Sequence, residues 1–335
     1  MIPPAYTREE ASGLWVFLEE NEGRLESVAL ELLGKGRELA DRQGIPLTGL
    51  LLGHELEATP WGAIFYGADH VLVADHPLLA AYTTDGYTNV AARIILERKP
   101  ETVLFGATPN GRDLAGRLAV RLRTGLTADC TDLSLEAGTG LLLGEVTGFG
   151  GGVMASIKCS HHRPQMATVR PGIFALPPLD PSRTGGVENI PVALSPGEIR
   201  TEILSRVRQE GVDITRARVI VAGGRGVKGD FAPLEEVARL LGGEVGASRV
   251  ACDLGWIGRD HQIGQTGYVT RPRLAITCGI SGATQFSVGL KDAECVVAIN
   301  NDPEAPMLEE ADLCVVDDLF PVLEALIAEF RRGMP

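Results

Sequence analysis

The amino-acid sequence predicts an α/β protein made of two doubly wound domains, each built on a parallel sheet. Apolar runs typical of strands alternate with segments whose apolar residues recur at helical spacing, and this alternation occurs in two separate series. A proline-rich stretch without sustained periodicity separates the two series. The length of 335 residues agrees with this reading, since two domains are the default expectation for a chain of that size.

The first series of elements begins at residue 14. The predicted strands cover residues 14–19, 47–53, 70–75 and 102–108, and the predicted helices cover residues 27–42, 87–98 and 110–123. Parallel neighbours need a crossover connection, so this alternation of strands and helices predicts a parallel, Rossmann-like sheet. After Thr124, the segments LLLGEVTGFGGGVMASIKC (141–159) and PQMATVRPG (164–172) contain β patterns separated by glycines, which predict an antiparallel extension of this sheet.

Residues 177–200 are predicted to be a linker, because they contain five prolines and no sustained periodicity. We therefore expect an N-terminal α/β domain over residues 1–200 and a second α/β domain over residues 201–335. The strands predicted in the second domain cover residues 217–224, 274–279, 295–300 and 313–316, with a further strand from Glu244. Helical spacing follows Phe231 and Leu319, and Gly242 is expected to end the first of these helices.

The composition excludes several classes of function. A net charge of −13 argues against nucleic acid or an anionic membrane surface as a partner. No apolar run approaches the roughly 20 residues that span a bilayer, and the N-terminus lacks a basic segment followed by an apolar core. We therefore expect a cytoplasmic protein without membrane insertion. Six scattered cysteines without a CxxC pair predict reduced thiols rather than a metal site.

Four loops of the second domain lie near the carboxyl ends of its predicted strands, and ligands of open α/β sheets bind at that edge. Glycines let backbone N–H groups approach a ligand, Arg225 is suited to pair with a phosphate, and Arg249 is suited to stack on a planar anionic ring. Each loop taken alone could equally be an ordinary turn. The four loops are GGRGVKGD (223–230), ASRV (247–250), HQIGQTGYV (261–269) and GISGATQF (279–286).

The order and spacing of these loops closely resemble the FAD-binding domain of electron transfer flavoprotein α subunits. The resemblance continues through INNDPEAP (299–306) and ADLCVVDDLF (311–320) and covers roughly residues 10–325. In the N-terminal half, residues 100–133 and 163–172 look like the longer α subunits of NADH-dependent, electron-bifurcating members. The resemblance implies that the N-terminal domain packs against a β subunit and carries no redox group of its own.

The resemblance also implies how the chain would hold FAD. Arg225 and Ser248 would contact the diphosphate and nearby groups, and Arg249 would lie over the isoalloxazine ring and compensate charge on the reduced ring. The residues expected beside the flavin ring and ribityl chain are Gln262, Ile263, Gly264, Gln265 and Thr266, with Thr266 donating near N5, and Ser281, Gly282, Ala283, Thr284, Gln285 and Phe286. Those expected to hold the adenosine half are Asn300, Asp318 and Leu319.

Phe286 departs from the family pattern. The family usually has a histidine there, which hydrogen-bonds the N1/O2 edge of the flavin, whereas phenylalanine cannot donate and can only pack against the ring. We therefore expect weaker stabilisation of the anionic reduced flavin at this edge, with more of it left to Arg249. A backbone N–H group, a water molecule or His261 could take the place of the imidazole.

The function that the resemblance implies is electron transfer rather than stand-alone catalysis, without a catalytic residue or a metal ligand. The chain would pair with a β subunit and relay electrons between dehydrogenases, such as acyl-CoA dehydrogenases, and an acceptor, while the flavin supplies the redox chemistry. One alternative is the electron-relay subunit of an NADH-dependent bifurcating complex, whose β subunit carries a second FAD. Another is an NAD(P)-binding module that holds no flavin.

Overall fold

The computed structural model describes residues 5–21, 23–148, 153–205 and 214–333. The chain divides into two compact units, residues 1–206 and 207–335. Each unit contains a parallel sheet with helices packed against it, as expected for a doubly wound α/β fold, so the predicted fold class is confirmed. No helix within the described ranges has the length and apolar character to cross a membrane.

The N-terminal unit is built on a seven-stranded parallel sheet, accompanied by smaller antiparallel pairings. The strands of the unit are β1 (Leu14–Leu18), β2 (Glu20–Asn21), β3 (Arg24–Leu25), β4 (Leu47–Gly53), β5 (His70–Asp75), β6 (Thr102–Gly106), β7 (Leu126–Cys130), β8 (Asp132–Leu135), β9 (Leu142–Gly148), β10 (Val153–Ile157), β11 (Gln165–Val169) and β12 (Gly186–Asn189). In the seven-stranded sheet all neighbouring strands are parallel, in the order β12-β5-β4-β1-β6-β11-β7. The helices of the unit are α1 (Ser27–Gln43), α2 (Thr59–Phe65), α3 (Thr84–Arg98) and α4 (Pro109–Leu122).

Helices cover both faces of this sheet. On one face, Trp15 and Phe17 of β1 and Phe105 of β6 belong to a buried apolar cluster with residues of α3 and α4. On the other face, α1 approaches closely at Gly36, where a Cβ atom would lie 2.9 Å from the Leu47 side chain. Because both faces are covered, all five residues of β1 and all seven of β4 are buried.

The segment after Thr124 differs in part from the predicted antiparallel extension. Strands β8, β9 and β10 form a separate three-stranded antiparallel sheet, whereas β11 returns to the main sheet and pairs in parallel with both β6 and β7. Residues 149–152, within the predicted segment, lie outside the described residues. Strand β11 is fully buried although it is partly polar, because Gln165 accepts a hydrogen bond from the Leu142 N–H and Thr168 accepts one from the Asp129 N–H.

The linker prediction for residues 177–200 was wrong for part of that segment. Strand β12 lies within it and pairs in parallel with β5 at the edge of the main sheet. Ile190 and Leu194 are buried in the apolar core of the N-terminal unit. The strand has no apolar alternation because, as an edge strand, it leaves most of its side chains exposed, so its short GVEN sequence resembles a loop.

The C-terminal unit is built on a five-stranded parallel sheet. Its elements are β13 (Val219–Gly223), α5 (Ala232–Leu241), β14 (Glu244–Ala247), α6 (Arg249–Asp253), β15 (Leu274–Cys278), α7 (Thr284–Ser287), β16 (Val296–Asn300), α8 (Pro306–Glu309), β17 (Leu313–Val316) and α9 (Leu319–Gly333). The strands lie in the order β14-β13-β15-β16-β17. Numbered along the chain this order is 2-1-3-4-5, and the direction in which successive strands are added reverses between β13 and β15.

Two apolar clusters fill the two faces of this second sheet. One joins Val221 and Ile276 to α5 and α9, and the other joins Ile220 and Ala275 to Phe286 and Met307. Helix α5 ends as predicted at Gly242, which has the left-handed φ of 64° that glycine adopts at a helix C-terminus. This packing fixes the carboxyl ends of the five strands, where the candidate site lies.

Candidate functional site

A cavity of about 800 Å³ lies at the carboxyl edge of the sheet in the C-terminal unit. The loops that follow all five strands contribute to its lining, with Arg225 after β13, Ser248 after β14, Ser281 after β15, Asn301 after β16 and Asp318 after β17. The cavity therefore lies where open α/β sheets bind ligands, at the point where the strand order reverses.

The loops after β13 and β15 approach each other at backbone distance. The Gly224 N–H donates to the Cys278 carbonyl at 2.9 Å, and the Gly226 N–H donates to the Gly279 carbonyl at 3.0 Å. A Cβ atom on Gly224 would lie 2.4 Å from the Gly279 oxygen, so a side chain cannot fit at residue 224. Glycines here leave the backbone itself as part of the cavity wall, which suits the close approach of a phosphate group.

Three cationic side chains line the cavity. Arg249 forms an ion pair with Asp253 at 3.2 Å and remains 66% exposed. Arg225 and Lys228 are exposed, and within the described ranges neither forms an ion pair. Cations that are held beside a cavity without a protein partner favour an anionic ligand.

Two acidic side chains lie just beyond the ends of β16 and β17. The Asp302 backbone N–H donates to the Asn300 side-chain oxygen at 3.1 Å, and Asp318 accepts from the Phe320 N–H at the start of α9 at 3.1 Å. The Asn300 amide nitrogen donates to the Ile280 carbonyl at 2.8 Å, and the side chain is 7% exposed. Asn300 therefore ties the loops after β15 and β16 together, while Asp302 and Asp318 offer carboxylate acceptors.

The loop of residues 262–268 is joined to the loop of residues 279–286. The Gln265 N–H donates to the Gln285 carbonyl at 2.7 Å. Gly264 has a φ of +125°, and a Cβ atom there would lie 2.3 Å from the same carbonyl oxygen. Only glycine adopts this φ without strain and also has no Cβ atom to clash with the oxygen. Gly264 therefore allows the two loops to lie as close together as they do at the cavity.

Within the first of these loops, Gln262 contacts Thr266 through its side chain. The Gln262 amide nitrogen donates to the Thr266 hydroxyl oxygen at 2.9 Å. Gln262 is 4% exposed and is not among the lining residues, whereas Thr266 is exposed and lines the cavity. The buried amide therefore contacts a lining residue without lining the cavity itself.

The cavity wall at Phe286 is apolar. Phe286 is 6% exposed and belongs to the buried cluster that also contains Ile263, Ile280 and Met307. His261 does not take the place of an imidazole at the cavity, because its ring nitrogen Nδ1 donates to the Val245 carbonyl at 2.7 Å and the residue is not in the lining.

The cavity brings together most of the residues that the sequence predicts. Thirteen of the predicted residues line it: Arg225, Ser248, Arg249, Ile263, Gln265, Thr266, Ser281, Ala283, Gln285, Phe286, Asn300, Asp318 and Leu319. Four predicted residues, Gln262, Gly264, Gly282 and Thr284, are not in the lining. Gly282 lies against the next segment instead, since a Cβ atom there would be 2.1 Å from the Met307 nitrogen.

The prediction also missed several lining residues. They are Gly224, Gly226, Lys228, Val250, Gly279, Ile280, Asn301, Asp302, Ala305 and Phe320. All of them lie within or beside the loops that were singled out from the sequence. The signal that could have identified them is the position of their loops at the carboxyl edge of the sheet. That position applies to every residue of such a loop and not only to those with a distinctive side chain.

The buried thiols near the two sheets are not nucleophiles. Cys278 ends β15, and burial raises the pKa of its thiol to about 12. In the N-terminal unit, burial and then the neighbouring Asp129 carboxylate raise the pKa of Cys130 to about 12. A thiol with so high a pKa carries almost no thiolate at neutral pH.

Comparisons with known proteins agree with this geometry. The family described as "Electron transfer flavoprotein domain" matches residues 14–195, and that described as "Electron transfer flavoprotein FAD-binding domain" matches residues 213–291. The second match contains the loops after β13, β14 and β15. Together the two matches extend over both units of the chain.

Relatives match over almost the whole chain. An electron transfer flavoprotein subunit alpha from Clostridium acetobutylicum is 47% identical over 97% of this chain and 99% of its own length. The acryloyl-CoA reductase electron transfer subunit beta of Anaerotignum propionicum is 39% identical over 96% of both chains. Among solved structures, a thiamine diphosphate-dependent 4-hydroxybenzoylformate decarboxylase of Rhodococcus jostii matches 95% of this chain and 59% of its own at 14% identity. The TM-score of 0.20 is too low to indicate a shared fold.

Both matched domains and the relatives of similar length point to the same family. A cofactor of this family explains the glycine-walled, cation-lined cavity at the edge of the sheet where the strand order reverses. This chain belongs to the electron transfer flavoprotein α-subunit family, and it is an FAD-binding electron-transfer subunit.

Proposed function

We propose that the cavity of the C-terminal unit is the FAD site, and that the chain works with a β subunit to relay electrons from a dehydrogenase, such as an acyl-CoA dehydrogenase, to an acceptor. The observation that carries the proposal is the convergence of thirteen predicted cofactor-binding residues on one cavity. The N-terminal unit, residues 1–206, would then pack on the β subunit.

The residues present fit an extended dinucleotide. A volume of about 800 Å³ lies within the range of about 300–1,000 Å³ for small-molecule and cofactor sites. Arg225 and Lys228, which have no ion-pair partner among the described residues, offer positive charge for a diphosphate, and Asp318 offers a carboxylate for ribose hydroxyls. The apolar ring of Phe286 and the side chain of Ile263 offer a surface for a planar ring.

FAD supplies the acceptance and release of electrons, and the protein supplies binding and electrostatics. Arg249 keeps a positive charge at the cavity wall, because a guanidinium stays protonated at any physiological pH. Thr266 presents a hydroxyl to the cavity, and Phe286 keeps one part of the wall dry. In this proposal, these residues set the affinity and the potential of the cofactor rather than transfer a group themselves.

A cytoplasmic location belongs to the same proposal. All six cysteines are free thiols, and Cys314 is exposed to solvent. Free and exposed thiols persist in reducing compartments, whereas secreted proteins usually pair them. Fractionation of the native host would test this location directly.

A second candidate is the electron-relay subunit of an NADH-dependent bifurcating complex. Its support is the resemblance of residues 100–133 and 163–172 to the longer α subunits of such complexes. The two candidates differ in the flavin content of the purified α/β complex. Two FAD molecules per heterodimer with oxidation of NADH would support bifurcation, whereas one FAD with AMP would support the simple carrier.

The site itself is tested by Arg225→Ala, with Arg273→Ala as a matched control. Arg225 lines the cavity, whereas Arg273 precedes β15 at the opposite edge of the sheet and pairs with Glu294. Loss of one charge-assisted contact should weaken FAD binding by about 10- to 150-fold for Arg225→Ala. The control should bind FAD as the wild type does. Equal affinity in both variants would contradict the proposed placement of the diphosphate.

A further inference from the structure

We propose that Gln262 is a positioning residue that makes the Thr266 hydroxyl a hydrogen-bond donor into the cavity. The inference rests on the proposed FAD site, and it assigns to a buried amide the control of one donor in that site. The ligand class is an acceptor that gains negative charge on reduction, such as a carbonyl oxygen of a flavin.

The direction of the hydrogen bond follows from the chemistry of the two groups. The Gln262 Nε2 lies 2.9 Å from the Thr266 Oγ1, and an amide NH₂ group can only donate. The hydroxyl oxygen therefore accepts, and its single proton must point away from Gln262. Because Thr266 is exposed and lines the cavity, the open direction for that proton is the cavity.

The backbone closes this loop without help from the Gln262 side chain. The Tyr268 N–H donates to the Gln262 carbonyl at 2.8 Å, and the Gly264 N–H donates to the Tyr268 carbonyl at 3.0 Å. A further backbone bond, from the Gly267 N–H to the Gly264 carbonyl, measures 3.0 Å. With the turn already closed by these bonds, the side-chain contact of Gln262 is additional, and its consequence is the orientation of Thr266.

Burial keeps the Gln262 amide in this orientation. Gln262 is 4% exposed, and its backbone N–H donates to the Arg259 carbonyl at 3.1 Å. The next residue, Ile263, donates its N–H to the Ala247 carbonyl at 2.9 Å, which anchors the loop to the end of β14. A buried amide that gave up its partner would lose a hydrogen bond without gaining one from water, so the bond to Thr266 persists.

A fixed donor affects the cofactor differently in its two redox states. A hydrogen bond to an acceptor strengthens as the acceptor becomes more negative. The donor therefore favours the reduced state, and reversing the Thr266 hydroxyl should lower the midpoint potential. A role confined to loop stability would leave the potential of bound FAD unchanged.

The test uses Gln262→Glu in the purified α/β holocomplex, with the midpoint potential measured against pH and compared with the wild type at each pH. A protonated glutamic acid can donate to Thr266 as the amide does, whereas an ionised carboxylate only accepts and turns the hydroxyl toward itself. We expect the wild-type potential at low pH and a lower potential above the pKa of the introduced carboxyl, which burial should raise.

The added negative charge would also lower the potential, so the same substitution is made in a Thr266→Val background. There the charge remains but the hydroxyl is absent. We expect the pH-dependent drop of the midpoint potential to be clearly smaller in the double variant than in Gln262→Glu alone. Drops of equal size in the two backgrounds would overturn the inference, because the effect would then not pass through Thr266.

Two further measurements keep the outcomes separate. If the carboxylate prevents assembly, Gln262→Met gives the same test without a charge, again with Thr266 present and in the Thr266→Val background. A shift of the midpoint potential that occurs only when Thr266 is present supports the inference. Equal shifts in the two backgrounds overturn it. FAD content is measured in every preparation. A wild-type complex without FAD contradicts the proposed function itself, whereas normal FAD content without coupling contradicts only the role of Gln262.

Discussion

Gly264→Ala is expected to weaken FAD binding strongly, because this glycine sets the distance between two cavity loops. Its φ of +125° is strained for any residue with a side chain, at a cost of about 1–3 kcal/mol. The new Cβ would lie 2.3 Å from the Gln285 oxygen, where ordinary contact begins at 3.4 Å. The carbonyl must therefore move by about an ångström, which also breaks its 2.7 Å bond from the Gln265 N–H and costs about 1 kcal/mol more.

The combined cost of about 2–4 kcal/mol falls on two loops that carry much of the cavity lining, including Thr266 and Phe286. If most of this cost reduces the free energy of FAD binding, the FAD dissociation constant rises by about 30- to 1,000-fold. The assay is release of FAD from the purified α/β complex on dilution, followed by fluorescence, together with urea unfolding.

The control for this prediction is Gly242→Ala, which shares the strain but not the contact. Gly242 has a φ of +64°, a Cβ added to it would meet no atom of the described residues within 4 Å, and it ends α5 outside the cavity lining. It should lose about 1 kcal/mol of stability and keep its FAD affinity. An FAD affinity of Gly264→Ala within about twofold of the control would refute the reasoning.

Three further predictions follow from single residues. Arg249→Ala should lower the midpoint potential of FAD by on the order of 1 kcal/mol of reduction free energy, and an unchanged potential in a dithionite titration would remove Arg249 from that role. Phe286→His should raise the potential by about 1 kcal/mol and lower stability, because the residue is 6% exposed in an apolar cluster; no change in potential would mean that another donor already serves that edge. Hydrogen bonds from Arg239 and then Arg331 lower the pKa of Glu236 from 4.5 to about 2, so its stabilisation is present above pH 4.5 and is lost as the pH falls toward 2. Glu236→Gln should flatten stability over that window in acid-unfolding curves, and an unchanged slope would contradict the assignment.

Local sequence patterns predicted most elements of the fold. Strands β4 and β5 have the predicted bounds, because their apolar runs are flanked by turn residues. Helix α3 begins three residues before its predicted start at Tyr87, because its first turn, Thr84–Gly86, lacks an apolar spacing signal. Such end effects are local and small.

Two errors have a longer-range cause. Strand β11 is buried between β6 and β7, and its polar Gln165 and Thr168 are satisfied by backbone groups that lie far away in the sequence. Strand β12 is an edge strand whose pairing depends on β5. Neither partner can be identified from residue type or periodicity, so β11 was predicted as an antiparallel strand and β12 as part of a linker.

The candidate site shows the same division. The lining residues with distinctive chemistry, such as Arg225 and Thr266, were found because their loops match a family pattern. The roles of Gly264 and Gly282 as close-approach residues were not found, since they depend on the Gln285 oxygen and the Met307 nitrogen. Sequence spacing indicates which loops meet, whereas the atoms that set their separation appear only in the folded chain.

The most direct test of the FAD site is hydrogen–deuterium exchange of the α/β complex with FAD bound and after its removal, read on peptides of this chain. We predict protection by FAD in the loops of residues 223–228, 262–268 and 279–286, which line or frame the cavity. We predict no comparable protection in the N-terminal sheet, strands β1, β4 and β6. Unchanged exchange in the three loops, with FAD present in the complex, would contradict the central claim that this cavity holds the cofactor.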